Sequence, residues 1–125
     1  MKRINTDNAP KAIGPYSQGM TSGNLVLLSG QLGIDPSTGK LQEGIEAQTT
    51  QSLQNIENLL KTADLTLENV VKATVFISDL ENFTKVNDIY ASRFAEPYPA
   101  RSCVEVARLP MDALVEIEVI AEKNE

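Results

Sequence analysis

Two stretches of this chain carry side chains whose types and spacing could do chemistry. Pro99-Ala100-Arg101-Ser102-Cys103-Val104-Glu105-Val106-Ala107 reads as a strand, and side chains on a strand alternate between its faces. Arg101, Cys103 and Glu105 therefore share one face, and Ser102, Val104 and Val106 the other. A guanidinium on a strand able to pack against a core needs a paired carboxylate or an anionic ligand. The second stretch is Val115-Glu116-Ile117-Glu118-Val119, where Glu116 and Glu118 fall on one face. The chain has no histidine. That removes Ser-His-Asp and Cys-His nucleophilic systems and histidine-based metal sites. Proton transfer is left to carboxylates, Tyr, Lys, Cys or water.

Each of these residues also has an ordinary structural reading. Arg101 reads as half of an ion pair with Glu105, Glu116 or Glu118, because structural ion pairs are common. Glu116 reads as a solvated side chain on an exposed strand face. Cys103 is a small buried residue with no histidine to generate a thiolate. With one cysteine, neither an intrachain disulfide nor a cysteine-rich zinc site is available, and no metal is expected. Ser29-Gly30 reads as a turn ending a strand, Tyr16 as a half-buried aromatic, and Asn87 as a solvated helix position.

The elements that must position these residues follow from periodicity and turn chemistry. Leu25-Val26-Leu27-Leu28 is an apolar run bounded by Gly23-Asn24 and Ser29-Gly30, a buried strand entered from an earlier one through a hairpin. Asp35-Pro36-Ser37-Thr38-Gly39 is a turn. Leu53, Ile56, Leu60 and Ala63 recur at helical spacing within about 45–63, with Gln, Glu, Asn and Lys between them. Val70 to Ile77 is β-branched and apolar, a strand. Phe83, Val86, Tyr90 and Phe94 mark a second amphipathic helix that ends before Pro97 and Pro99. Strands near 101–106 and 114–121 complete the order.

That order predicts an α+β fold with one sheet and both helices on one face. On the last strand Val115, Ile117, Val119 and Ala121 should meet the helices. Leu114, Glu116, Glu118 and Ile120 should face other subunits, since isolated apolar side chains between acids suit a partly buried assembly interface.

Composition sets the outer bounds. The 125 residues suit one domain, 1–125, and 42% apolar with 22% charged residues is a globular balance. A net charge of −6 with scattered cations argues against nucleic acid as a partner. Met1-Lys2-Arg3-Ile4-Asn5-Thr6-Asp7 lacks the apolar centre of a secretory signal. No apolar run is long enough to cross a bilayer, so no membrane is expected. A lone cysteine suits a reducing compartment. The expectation is a cytoplasmic protein.

Gly14-Pro15-Tyr16-Ser17-Gln18, Leu28-Ser29-Gly30-Gln31, Pro99–Ala107 and Val115–Val119 together resemble the signature of the Rid (YjgF-type) family, in its RidA branch, nearly from end to end. The resemblance implies a chorismate-mutase-like α+β fold, a mixed sheet with two helices on one face. It also implies a homotrimer with sheets inside and active sites between subunits. The implied activity is hydrolysis of 2-iminopropanoate and 2-iminobutanoate, derived from 2-aminoacrylate and 2-aminocrotonate, to 2-keto acids and ammonia without cofactor.

By the same resemblance Arg101 holds the substrate carboxylate and Glu116 activates water, with Glu118 as the fallback acid. Gly30 and Cys103 offer backbone N–H groups, Ser29 forms the wall, Tyr16 closes over the substrate, and Asn87 supports. Some relatives have been described as endoribonucleases or translation inhibitors, and a non-catalytic keto-acid-binding regulator is a third reading. Two segments depart from the family pattern. Phe94–Pro99 is short, and Met111-Asp112-Ala113-Leu114 lacks the usual Lys and Gly. Both bear on the cleft rim and substrate range.

Overall fold

The computed structural model describes residues 1–124. Its strands are β1 (Lys2–Ile4), β2 (Gly19–Ser22), β3 (Leu25–Leu28), β4 (Gln31–Leu32), β5 (Ile34–Asp35), β6 (Lys40–Leu41), β7 (Val70–Ile77), β8 (Ala100–Glu105) and β9 (Val115–Glu122). Helix α1 (Ile45–Lys61) precedes β7, and α2 (Phe83–Arg93) links β7 to β8. The main sheet runs β1-β2-β3-β9-β7-β8, with β4 also paired to β9. Among the described residues only β7 and β8 pair in parallel, as a helical crossover between them requires. β5 and β6 form a separate hairpin, and its turn is the Asp35–Gly39 turn expected from sequence.

Both helices pack on one face. Leu53, Ile56, Leu59 and Leu60 of α1 and Val86 of α2 meet Val26, Val75, Ile77, Val115, Ile117 and Val119 in the core. The alternation expected of the last strand holds, with one correction. Leu114 precedes β9 instead of joining its open face, because its N–H donates to Gln48 Oε1 at 2.8 Å and its side chain packs on the core. The other sheet face carries Leu27, Val104, Phe76 and Ile120. Leu27 and Val104 are 40% and 45% exposed, so this apolar surface is not covered within the chain.

One feature of α1 runs against its pattern in the sequence. Gln48, Ser52 and Asn55, at i, i+4 and i+7, point inward and are buried. Ser52 Oγ donates to the Gln31 carbonyl at 2.7 Å, and Asn55 Nδ2 donates to those of Leu32 and Ile34 at 3.2 and 2.9 Å. These bonds satisfy main-chain carbonyls on the β4–β5 stretch, which would otherwise be costly to bury. They also bring Gly33 against the helix backbone. A Cβ on Gly33 would overlap Gln48 main-chain atoms, with Gln48 C 2.8 Å away.

The same clamp fixes a bulge. Leu27 pairs with Ile120, but Gln31 pairs with Ile117, so one extra residue is inserted around Ser29-Gly30. A one-residue insertion reverses which face the following side chains take. Gln31 therefore turns inward and Leu32 outward. Ser29-Gly30 is thus a bulge joining two segments on one partner strand, and the simple strand-ending turn is not what forms.

Gly33→Ala should shift the urea midpoint down, at a cost of about 1–3 kcal/mol for an overpacked methyl. The Gln48 backbone cannot yield as a flexible side chain would, so an unchanged midpoint would contradict the contact.

Candidate active site

The first group of expected site residues lies on the helix-covered face at the sheet edge. β8 is an edge strand, and Arg101 and Cys103 point toward α2. The Arg101 guanidinium carbon lies 4.8 Å from the centroid of the Tyr90 ring and 5.6 Å from that of Phe83. Arg101 makes no ion pair among the described residues. The ion-pair reading is corrected here for all three acids. Glu105 accepts the Leu80 N–H at 2.9 Å, and Glu116 and Glu118 lie on the opposite face. Asn87 falls four residues after Phe83 and three before Tyr90, on the helix stripe beside the guanidinium.

Cys103 sits two residues beyond Arg101. Burial pushes its thiol pKa up, and Arg101 pulls it only partly back. The thiol therefore stays protonated at neutral pH and is a poor nucleophile. Its main chain is better placed for recognition. The Val106 N–H bonds to the Ile77 carbonyl on β7 at 2.9 Å. Strand N–H groups alternate in direction, so those of Ser102 and Val104 turn inward and that of Cys103 turns out at the open edge.

The second group lies on the open face. Glu116 stands in β9 between Phe76 on β7 and Leu32 on β4. Burial raises its pKa, and repulsion from Glu118 raises it further. Glu118, opposite Thr74, is exposed. Gly30 leaves the space that the Glu116 side chain fills. A Cβ there would overlap the carboxylate and stand 2.9 and 3.1 Å from Glu116 Cδ and Cγ. Glycine is required by this close approach, a reason separate from the expected backbone donor role.

Ser29 ties the bulge to the Tyr16 loop. Its Oγ donates to the Ser17 carbonyl at 2.6 Å, and its N–H to that of Gln18 at 2.9 Å. Buried Gln18 in turn bonds the main chain of Thr6, Ala9 and Pro10. Tyr16 itself is 54% exposed, with its hydroxyl accepting the Ile13 N–H at 3.4 Å.

The expected residues thus fall into two groups: Arg101 and Cys103 on β8 with Asn87 on the facing helix, and Glu116 with Gly30, to which Ser29 links the loop bearing Tyr16. Register alternation puts Arg101 and Glu116 on opposite faces of the sheet, so one chain does not bring them together. Tyr90 and Phe83 beneath Arg101 were read from sequence only as core-marking aromatics. Their spacing of seven residues on one helix face was the available signal. Among the described residues no cluster of His, Cys, Asp or Glu could hold a metal ion. Among the same residues no helix is long and apolar enough to cross a membrane. The chemistry on offer is a cation with unspent donors and a carboxyl group whose proton affinity is raised.

The chain matches the family described as Endoribonuclease L-PSP over residues 6–123. It is 50% identical to the 2-iminobutanoate/2-iminopropanoate deaminase of Salmonella typhimurium, over 96% of each chain. The fold matches the crystal structure of RidA from an Antarctic Psychrobacter at a TM-score of 0.96. That alignment has 45% identity and covers 98% of this chain and 99% of the other. It matches Escherichia coli TdcF with bound serine at 0.95, with 43% identity over 99% and 100%.

The raised pKa of Glu116 has a measurable consequence for stability. Above its ordinary value of 4.5, the folded chain retains a proton that the unfolded chain has lost. The native state then binds more protons, and stability falls as pH rises through that window. Glu116→Gln should therefore melt above the parent near pH 7, and the gap should close at about pH 4 and below. Thermal melts across that range check the sign.

Proposed function

The chain belongs to the Endoribonuclease L-PSP family, the YjgF/Rid group of the RidA branch, and on that footing we propose that it is an enamine/imine deaminase. Its substrates are 2-iminopropanoate and 2-iminobutanoate, which form from 2-aminoacrylate and 2-aminocrotonate. The products are the matching 2-keto acids and ammonia. The observation that carries this reading is the Arg101 guanidinium, which lies over two aromatic rings yet pairs with no carboxylate among the described residues.

Arg101 offers two parallel N–H donors to the substrate carboxylate, a match of geometry as well as charge. The outward Cys103 N–H and the Gly30 N–H add main-chain donors, Ser29 and Tyr16 enclose the pocket, and Asn87 supports it. Glu116 accepts a proton from water as the oxygen bonds to the carbon of the protonated imine and the C=N electron pair moves to nitrogen, giving a neutral carbinolamine. Glu116 then gives that proton to the amino nitrogen, the C–N bond breaks to release ammonia, and the carbonyl forms as the hydroxyl proton passes to solvent. Its raised proton affinity makes Glu116 a stronger base for this exchange than an exposed carboxylate.

This reading requires a second copy of the chain. Arg101 and Glu116 lie on opposite sheet faces, so a complete pocket takes Arg101 from one protomer and Glu116 from another. The open face with Leu27, Phe76, Val104 and Ile120 is the surface such an assembly would cover. We assign a homotrimer, as the family resemblance implies, in the cytoplasm.

Coupling the protein to a serine or threonine dehydratase in the presence of semicarbazide tests the activity. It should suppress semicarbazone formation, with unchanged trapping at saturating protein counting against the proposal. A parallel RNA cleavage assay should stay blank, and turnover that co-purifies with the protein would favour a ribonuclease. Arg101→Lys should weaken 2-oxobutanoate binding about 10- to 150-fold, from a charge-assisted contribution of roughly 1.5–3 kcal/mol. Glu116→Gln should lower turnover by roughly 10²–10⁴ while sparing that binding. Glu118→Gln is the control and should have the smaller effect. Light scattering should give about three times the 13.6 kDa chain mass.

A further inference from the structure

We propose that Tyr90 and Phe83 are positioning residues for the reaction, an aromatic platform that fixes the Arg101 guanidinium while leaving its N–H donors free for the substrate carboxylate. The inference rests on the deaminase reading above and assigns the residues that make its cation effective.

A guanidinium needs something to hold it, because a long side chain free to rotate loses entropy on every binding event. A carboxylate neighbour would hold it, but would also occupy donors and offset the charge that attracts the substrate. An aromatic face attracts a cation through the ring quadrupole without taking an N–H. Both ring centroids lie within the range of that attraction, at 4.8 Å for Tyr90 and 5.6 Å for Phe83.

The nearer ring is itself firmly packed. Tyr90 is 5% exposed and stacks on Phe94 with centroids 4.4 Å apart and planes inclined by 29°. Phe94 is equally buried. The Tyr90 hydroxyl is buried and has no hydrogen-bond partner among the described residues. The ring, and not the hydroxyl, is therefore the part of Tyr90 the site uses. Tyr90 and Phe83 project from one face of α2, and β8 delivers Arg101 to them from the adjacent sheet edge. The crossover from β7 to β8 thus supplies both the cation and its support.

The test uses full-length Tyr90→Leu, Tyr90→Phe and Phe83→Leu. Calorimetry with 2-oxobutanoate gives Kd, and trapping at graded dehydratase flux gives apparent KM and kcat. Loss of a cation–π contact corresponds to about a 2- to 30-fold change in affinity. Tyr90→Leu should raise Kd and KM within that span with kcat little changed. Tyr90→Phe keeps the ring and should stay within about twofold of the parent on both. Phe83→Leu, removing the more distant ring, should show the same KM-selective effect at smaller size. It carries the test if Tyr90→Leu fails to fold.

A folded Tyr90→Leu with parental Kd would overturn the platform while leaving the deaminase reading intact. So would a Tyr90→Phe that loses kcat tenfold, because the hydroxyl would then be acting on the chemistry. A parent that binds 2-oxobutanoate through Tyr90 but leaves trapping unchanged would do the reverse, sinking the deaminase and keeping the platform.

Discussion

Gly30 and Glu116 approach so closely that no side chain fits between them, and the geometry around the acid depends on that contact. It exists because an extra residue bulges from the strand facing β9. The bulge is held by the inward polar stripe of α1, whose Ser52 and Asn55 bond the carbonyls just beyond it. Ser29 then ties the bulge to the segment bearing Tyr16. A helix packed on one face of the sheet thereby arranges the acid on the other. Hydrogen bonds to buried main-chain carbonyls suit this task, since breaking one leaves an unsatisfied acceptor and the bulge cannot drift without that loss.

The sheet separates the two charged groups instead of joining them. In a single chain Arg101 and a half-buried Glu116 in contact would form an ion pair, lowering the proton affinity of the acid and occupying the cation. With a sheet between them, each keeps the property the proposed chemistry needs. Arg101 retains its charge and donors against Tyr90, and Glu116 retains a raised pKa through burial and Glu118. On the function proposed above, assembly of copies would be the step that completes a pocket, tying activity to the quaternary state.

Much of this was legible in the residues. The alternation of Val115, Ile117, Val119 and Ala121 located the covered face, and the two helices and the strand at 70–77 emerged at nearly their observed bounds. The motifs also pointed to Arg101, Cys103 and Glu116. Other features were not legible. Gln48, Ser52 and Asn55 have the composition of a solvated helix face, and only the carbonyls brought against them make burial favourable. Short β4, β5 and β6 owe their extended shape to pairing and to α1, since two-residue segments carry no period of their own. The rings against Arg101 were not legible, because strand alternation says which residues share a face, but not which ring a helix will lay over it.

The sequence by itself determined the classes of chemistry open to the protein. With no histidine and one cysteine, it left proton transfer to carboxylates, Tyr, Lys, Cys or water. Its periodicity settled which face of each element is apolar, because burial of apolar surface is local in pattern though global in effect. The tertiary structure decided the rest. It spent Glu105 on the Leu80 N–H, set Arg101 on Tyr90, pressed Glu116 against Gly30, and placed the last two pairs on opposite sides of the sheet. Those outcomes depend on contacts between residues far apart in the chain, such as Ser52 with Gln31 and Arg101 with Tyr90. No local pattern encodes them, because each contact depends on strand order and on the bulge register.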